Sequence, residues 1–205
     1  MIVLPATFVK GVVSHAGLPP APFPEVAVSG RSNVGKSSLL NVLFGGRKAL
    51  AKVSQRPGKT REINFFRIGD SYHLVDLPGY GYARVPTAVS EKWRVFVKEY
   101  LETRQQLGGI VQLVDARHGP SAQDREMIEW LAGHTVPALL VATKVDKLKS
   151  NARATALREL AKNYPGMDVV GFSSVTRVGR TEVLAWIDRA AAAWPKGLAA
   201  DDHGD

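Results

Sequence analysis

Short unbroken apolar runs alternate along this chain with longer amphipathic ones. The runs Glu25–Ser29, Ile63–Ile68, Tyr72–Val75, Ile110–Val114, Ala138–Ala142 and Val169–Phe172 predict six strands. Several are continuous aliphatic or β-branched stretches, the pattern of strands covered on both faces. Between them, Lys36–Phe44, Ser90–Arg104, Gln123–Leu131, Ala152–Tyr164 and Arg180–Ala193 predict helices. In the second helix Trp93, Phe96, Val97, Tyr100 and Leu101 recur at three and four residues, one apolar stripe for a core, and Trp130 and Trp186 are read the same way. The alternation predicts a three-layer α/β fold: a mostly parallel six-stranded sheet, helices on both faces, right-handed crossovers. Only Gly69-Asp70-Ser71 separates the second strand from the third. That linker is too short for a crossover, so one strand must run antiparallel.

Length adds little: 205 residues make one ordinary domain with room for a full core. Residues 1–23 read as a lead-in, 24–194 as the domain, and 195–205 as a flexible tail after Pro195 stops the last helix. With no cysteine, disulfides and thiolate zinc sites are excluded, which suits a reducing compartment. The start, MIVLPATFVKGVV, lacks a basic leader and a cleavage site, and no apolar run has the length of a bilayer. A cytoplasmic monomer without membrane contact is expected. His15, His73, His118, His134 and His203 are scattered without metal-ligand spacing.

Charge changes the picture more. The net charge is +8 and the pI about 9.8. From Arg31 to Arg67 nine basic residues, among them Arg47, Lys48 and Lys52, face one acid, Glu62, so this window alone equals the net charge of the chain. A polyanionic partner such as RNA would find its phosphates matched there.

The chemistry enters with Gly30-Arg31-Ser32-Asn33-Val34-Gly35-Lys36-Ser37, which fits G-x-x-x-x-G-K-[ST] between a strand and a helix. Its glycines let successive N–H groups curl toward phosphates, and the helix N-terminus adds positive potential. Lys36 would neutralise the β- and γ-phosphates and Ser37 would coordinate Mg²⁺. By itself the motif leaves ATP and GTP open. Asp76-Leu77-Pro78-Gly79, at a strand end, has the form that holds a second magnesium contact and offers the Gly79 N–H to a γ-phosphate. Thr143-Lys144-Val145-Asp146 follows the apolar run ALLVA. A carboxylate at Asp146 can accept both the N1–H and the 2-amino group of guanine, which adenine cannot supply, while the Lys144 stem lies across the purine. Phe172-Ser173-Ser174 would complete the base pocket, with the Ser174 N–H on the guanine O6. Between these motifs Thr60 is the candidate to close over the γ-phosphate and give Mg²⁺ a second hydroxyl.

Taken together, PEVAVSGRSNVGKSSLLN, PGKTREINFF, LVDLPGYGYARV, VDARHGP, TKVDKL and GFSS resemble the EngB family of bacterial ribosome-assembly GTPases, within the TrmE-Era-EngA-EngB-Septin-like superfamily. The threonine of TKVD stands where Asn-Lys-x-Asp has asparagine. The resemblance implies GTP binding and hydrolysis with Mg²⁺, association with a large-subunit ribosome precursor, and a need in growth and septation. It places nucleotide contacts on Gly30–Ser37, on Gly58, Lys59, Thr60, Arg61 and Glu62, on Asp76–Gly79, Thr143–Asp146 and Phe172–Ser174, and metal contacts on Ser37 and Thr60.

Tyr80 occupies the position at which many switches carry a water-orienting glutamine. Intrinsic hydrolysis is therefore expected to be slow, on the order of 10⁻⁴ to 10⁻² s⁻¹. Asn33 matches the position at which related GTPases hold K⁺ beside the β,γ-bridge, so Asn33, Lys36 and Thr60 are the expected catalytic residues. The alternatives are an ATP-using P-loop enzyme and a nucleotide-gated rRNA-binding module with incidental hydrolysis.

Overall fold

The computed structural model of the chain describes residues 5–20, 22–46, 62–80 and 87–194, with their side chains except those of 87–94. Gly58, Lys59, Thr60 and Arg61, the cations Arg47, Lys48 and Lys52, the Trp93 side chain and the tail 195–205 lie outside the described residues.

The described strands are β1 (Ala6–Val12), β2 (Glu25–Gly30), β3 (Ile63–Ile68), β4 (Tyr72–Asp76), β5 (Leu107–Asp115), β6 (Ala138–Thr143) and β7 (Asp168–Phe172). The helices are α1 (Lys36–Leu43), α2 (Thr87–Thr103), α3 (Ala122–Ala132), α4 (Ser150–Asn163) and α5 (Arg180–Ala193). The strands form one sheet in the order β1-β3-β4-β2-β5-β6-β7. Only β3 is reversed, antiparallel to both β1 and β4, as the three-residue linker requires.

The sheet has seven strands rather than the expected six. Ala6–Val12, within the expected lead-in, pairs with β3 as an edge strand. Its register shifts between Phe8 and Lys10, leaving Val9 as an extra, exposed residue. Such a bulge breaks the period of two on which strand recognition depends, and it also blunts an exposed sheet edge.

Along the central strands the side chains alternate between two cores. Val26 and Val28, Val111 and Leu113, and Leu139 and Val141 face α1 and α5, meeting Leu39, Leu40, Val183 and Ile187. On the opposite face Ala27, Val75 and Ile110 meet Phe96, Val97, Tyr100 and Leu101 of α2, the described part of the predicted stripe. Leu140, Ala142 and Val114 pack with Ile128 of α3 and Leu160 of α4. Trp186 is core, while Trp130 is partly buried and stacks on His134 at 3.8 Å.

Two helix starts bear on the site. The Ser121 side chain accepts the Asp124 N–H, and the Asp124 carboxylate accepts the Ser121 N–H in return, a reciprocal cap for α3. At the start of α5, Gly179 has φ of 78°, and an added Cβ would stand 2.0 Å from the Gly171 carbonyl oxygen, so only glycine fits.

Candidate nucleotide-binding site

Every described motif lies at the carboxyl ends of parallel strands, on one edge of the sheet, where ligands of open α/β folds bind. Gly30 ends β2, Asp76 ends β4, Asp115 ends β5, Thr143 ends β6 and Phe172 ends β7.

From Gly30 to Lys36 the chain curls as the motif demands. Asn33 and Gly35 take left-handed conformations, φ 62° and 113°, and Gly35 then caps α1. Alternating handedness of this kind turns successive N–H groups inward, which makes an anion cradle. Val34 is fully buried and serves through its backbone, whereas Asn33 is exposed at the rim. The Lys36 ammonium, at the start of α1, meets the Asp76 carboxylate at the end of the adjacent strand β4 directly. Ser37 follows Lys36 in the first turn of α1, so Ser37 and Asp76 are the described residues suited to Mg²⁺. Such a cation would balance the charge of a polyphosphate held over the cradle.

After Asp76 the chain stays against the P-loop. Leu77 N–H donates to the Val28 carbonyl (3.0 Å), and Ser32 N–H donates to the Tyr80 carbonyl (2.8 Å). An added Cβ on Gly79 would lie 3.2 Å from Ser32, so this close approach favours glycine. Leu77 is buried and Pro78 half-buried. Glu62 stands apart: its carboxylate lies beside Gly11 of β1, on the far side of β3 from the cradle.

At the other end of the edge, the Thr143 hydroxyl lies 2.6 Å from the Val34 carbonyl and 3.1 Å from that of Val114, its one proton shared between them. Threonine thus ties the base motif to the P-loop. Lys144, itself left-handed at φ 61°, sends its ammonium to the Asn33 carbonyl and to Asp115, both at 2.8 Å. Val145 points into the core, and Asp146 sits half-buried on a single 3-10 turn. Asp146 accepts the Ser173 hydroxyl at 2.7 Å, and this bond holds its carboxyl below the usual carboxylate range. Ser173 Oγ in turn accepts the N–H groups of Val175 and Thr176 (3.2 and 3.1 Å), fixing the loop that carries Ser174. The Phe172 ring is buried, so Phe172 serves through its backbone.

Beneath the P-loop lies a polar layer that no single sequence motif includes. Asp115 is fully buried and pairs with Arg117 and Lys144 at 2.8 Å, with Arg31 at 3.7 Å. Burial would raise its pKa, yet the bonds from Arg117 and Lys144 hold it well below the carboxylate range. Tyr80 turns its hydroxyl away from the cradle, donating to Asp124 (2.6 Å) and accepting from Gln112 (2.7 Å). The S-x-x-D of Ser121–Asp124, a helix-start signature, was the one available signal for this layer.

Residues 25–144 match a family described as "50S ribosome-binding GTPase". The chain is 47% identical to the "Probable GTP-binding protein EngB" of Desulforamulus reducens, covering 92% of this chain and 93% of that protein. It is 48% identical to the protein of the same name from Pelotomaculum thermopropionicum, covering 90% and 94%. Among solved structures, that of "a probable GTP-binding protein engB" superposes with a TM-score of 0.67 at 22% identity, covering 82% of this chain and 98% of that one.

Proposed function

This chain belongs to the EngB family of P-loop GTP-binding proteins, and we propose that it hydrolyses GTP with Mg²⁺ as a timer in assembly of the large ribosomal subunit. One observation carries the nucleotide part. An ionised carboxylate, Asp146, stands on the same sheet edge as a cradle whose lysine and aspartate meet. The first selects guanine, the second grips a triphosphate. Support for the ribosomal part comes from the family description and from the cations between Arg31 and Arg67. We assign the activity to the cytoplasm, as a monomer; no helix among the described residues is long and apolar enough to cross a membrane. A need in growth and septation would follow from depleted ribosome assembly.

In hydrolysis, Lys36 offsets charge on the β- and γ-oxygens, and the Gly79 N–H is the backbone donor for the γ-phosphate. Ser37 and Asp76, with Thr60 as the second hydroxyl, would hold Mg²⁺, which would supply charge neutralisation of the phosphates. Tyr80 has no amide to orient water and its hydroxyl is already engaged. The missing stabilisation must come from elsewhere: from the ribosome precursor and from K⁺ at Asn33.

The test is the GTPase rate with and without purified large-subunit precursor particles. We expect a basal rate on the order of 10⁻⁴ to 10⁻² s⁻¹ and stimulation of 10²-fold or more, the scale on which an added transition-state cation acts. Binding to the particles should be tighter with a GTP analogue than with GDP, and should weaken steeply with salt. Equal rates with and without particles, or equal affinity in both nucleotide states, would refute the timer. Single-turnover rates in KCl should exceed those in NaCl, and Asn33→Ala should abolish the difference. Because the Tyr80 hydroxyl is occupied, a second reading is favoured if hydrolysis proves dispensable: a nucleotide-gated rRNA-binding module, in which a hydrolysis-dead variant still supports maturation.

A further inference from the structure

Tyr80 is more than a missing glutamine. Its backbone and side chain are both held, and by different parts of the molecule. The carbonyl accepts the P-loop Ser32 N–H at 2.8 Å. The hydroxyl donates at 2.6 Å to Asp124, a fully buried carboxylate on α3, and accepts from Gln112 of β5 at 2.7 Å. The other oxygen of Asp124 is fixed by the Ser121 N–H and hydroxyl, at 2.9 and 2.7 Å, so the acceptor cannot drift. Asp76 to Tyr80 is therefore a short bridge anchored at both ends, by sheet pairing at Asp76 and by this clasp at Tyr80. The span between the anchors carries Gly79, pressed against Ser32.

We propose that Asp124 is a positioning residue for triphosphate recognition: acting through the Tyr80 hydroxyl, it sets the Gly79 N–H at the place a γ-phosphate occupies. The inference rests on the GTP-binding reading above and adds to it the source of discrimination between GTP and GDP. Pre-setting a donor removes the cost of ordering it when ligand arrives. GDP has no γ-phosphate, so its binding gains nothing from the clasp. Burial makes the contact strong, because a phenol bonded to a buried carboxylate is charge-assisted and unscreened.

A neighbouring group makes the idea testable without unfolding the protein. Arg31 Nε is buried without a hydrogen-bond partner and stands 3.8 Å from Asp124. If the phenol is removed, Asp124 keeps both bonds from Ser121 on its other oxygen and the guanidinium charge beside it, so Tyr80→Phe should fold.

The experiment measures affinity of the full chain, with Mg²⁺, for a non-hydrolysable GTP analogue and for GDP, in wild type, Tyr80→Phe and Asp124→Asn. Tyr80→Phe is expected to weaken the analogue about tenfold, the size of one hydrogen bond to a charged group, with GDP within about twofold. In Asp124→Asn the single amide oxygen stays with the Ser121 N–H and the NH₂ turns to the phenol, which loses its acceptor, so the selective loss should be at least as large as in Tyr80→Phe. A structural role alone would weaken both nucleotides together. Equal losses, or no loss, would overturn the inference. Should Tyr80→Phe melt early, Asp124→Asn decides by the same ratio. A wild type that binds neither nucleotide would instead bring down the GTP reading, and this inference with it.

Discussion

Replacing Asp146 by asparagine is expected to cut GTP affinity by about a thousandfold or more and to create affinity for xanthosine triphosphate. The carboxylate can accept two donors from the guanine edge, N1–H and the 2-amino group. An amide of the same shape would turn one acceptor into a donor facing those donors. The structure also says which way the amide would point. Ser173 donates to one oxygen of Asp146 at 2.7 Å, and Oγ of Ser173 is itself locked by the Val175 and Thr176 N–H groups. An asparagine here would keep its oxygen toward Ser173 and present its NH₂ to the base, where xanthine offers a carbonyl in place of the 2-amino group. Competition binding with GTP, xanthosine triphosphate and ATP reads the outcome directly. If GTP affinity survives, Asp146 does not select the base. The wild-type preference should also persist to lower pH than an unperturbed aspartate would allow, because the Ser173 bond favours the ionised form of Asp146.

That residue was legible from sequence because its motif follows an apolar strand, and strand ends on one edge of a parallel sheet converge in space. The same holds for Lys36 and Asp76, forty positions apart in the chain and in contact in the fold. Strands covered on both faces announced themselves as unbroken apolar runs, so β2 and β5 to β7 were found within a few residues of their ends. What escaped notice obeys a different rule. β1 is an edge strand whose bulge at Val9 destroys the alternation a reader looks for. The layer of Arg31, Gln112, Asp115 and Asp124 draws its members from the P-loop, β5 and α3, and each residue alone reads as a solvated polar group. Only packing reveals that Gln112, Asp115 and Asp124 are fully buried. Tyr80 shows the limit most plainly. Its sequence position says what it cannot do for water, while its bond to Asp124, 44 positions away, exists only in the fold.

The largest effect on stability should come from the opposite edge of the sheet, at Glu25. This carboxylate opens β2 with no solvent exposure and receives three bonds from Arg104 at 2.6–3.1 Å and one from the Tyr100 hydroxyl at 2.9 Å. Arg104 also donates to the Pro19 carbonyl at 2.9 Å, so the cluster fastens the segment before β2 to the end of α2. Its burial holds the Tyr100 hydroxyl protonated, its pKa raised first by desolvation and then by the Glu25 charge. Glu25→Ala would strand a guanidinium that is nearly buried and a phenol with no exposure, which should cost about 3–5 kcal/mol. For a domain of this size the loss corresponds to a melting temperature lower by about 10 °C. Glu25→Gln leaves the phenol an acceptor and the cavity filled, so it should cost less. Chemical denaturation should show the midpoint shifted with an unchanged slope. Glu25 begins β2 and Gly30 ends it, a separation of roughly 17 Å at the rise of a strand. Guanine-nucleotide affinity measured well below the transition should therefore match wild type. Were Glu25→Ala as stable as wild type, the buried cluster would not be what joins β2 to α2; were affinity lost while the fold stayed intact, the two edges of the sheet would be coupled.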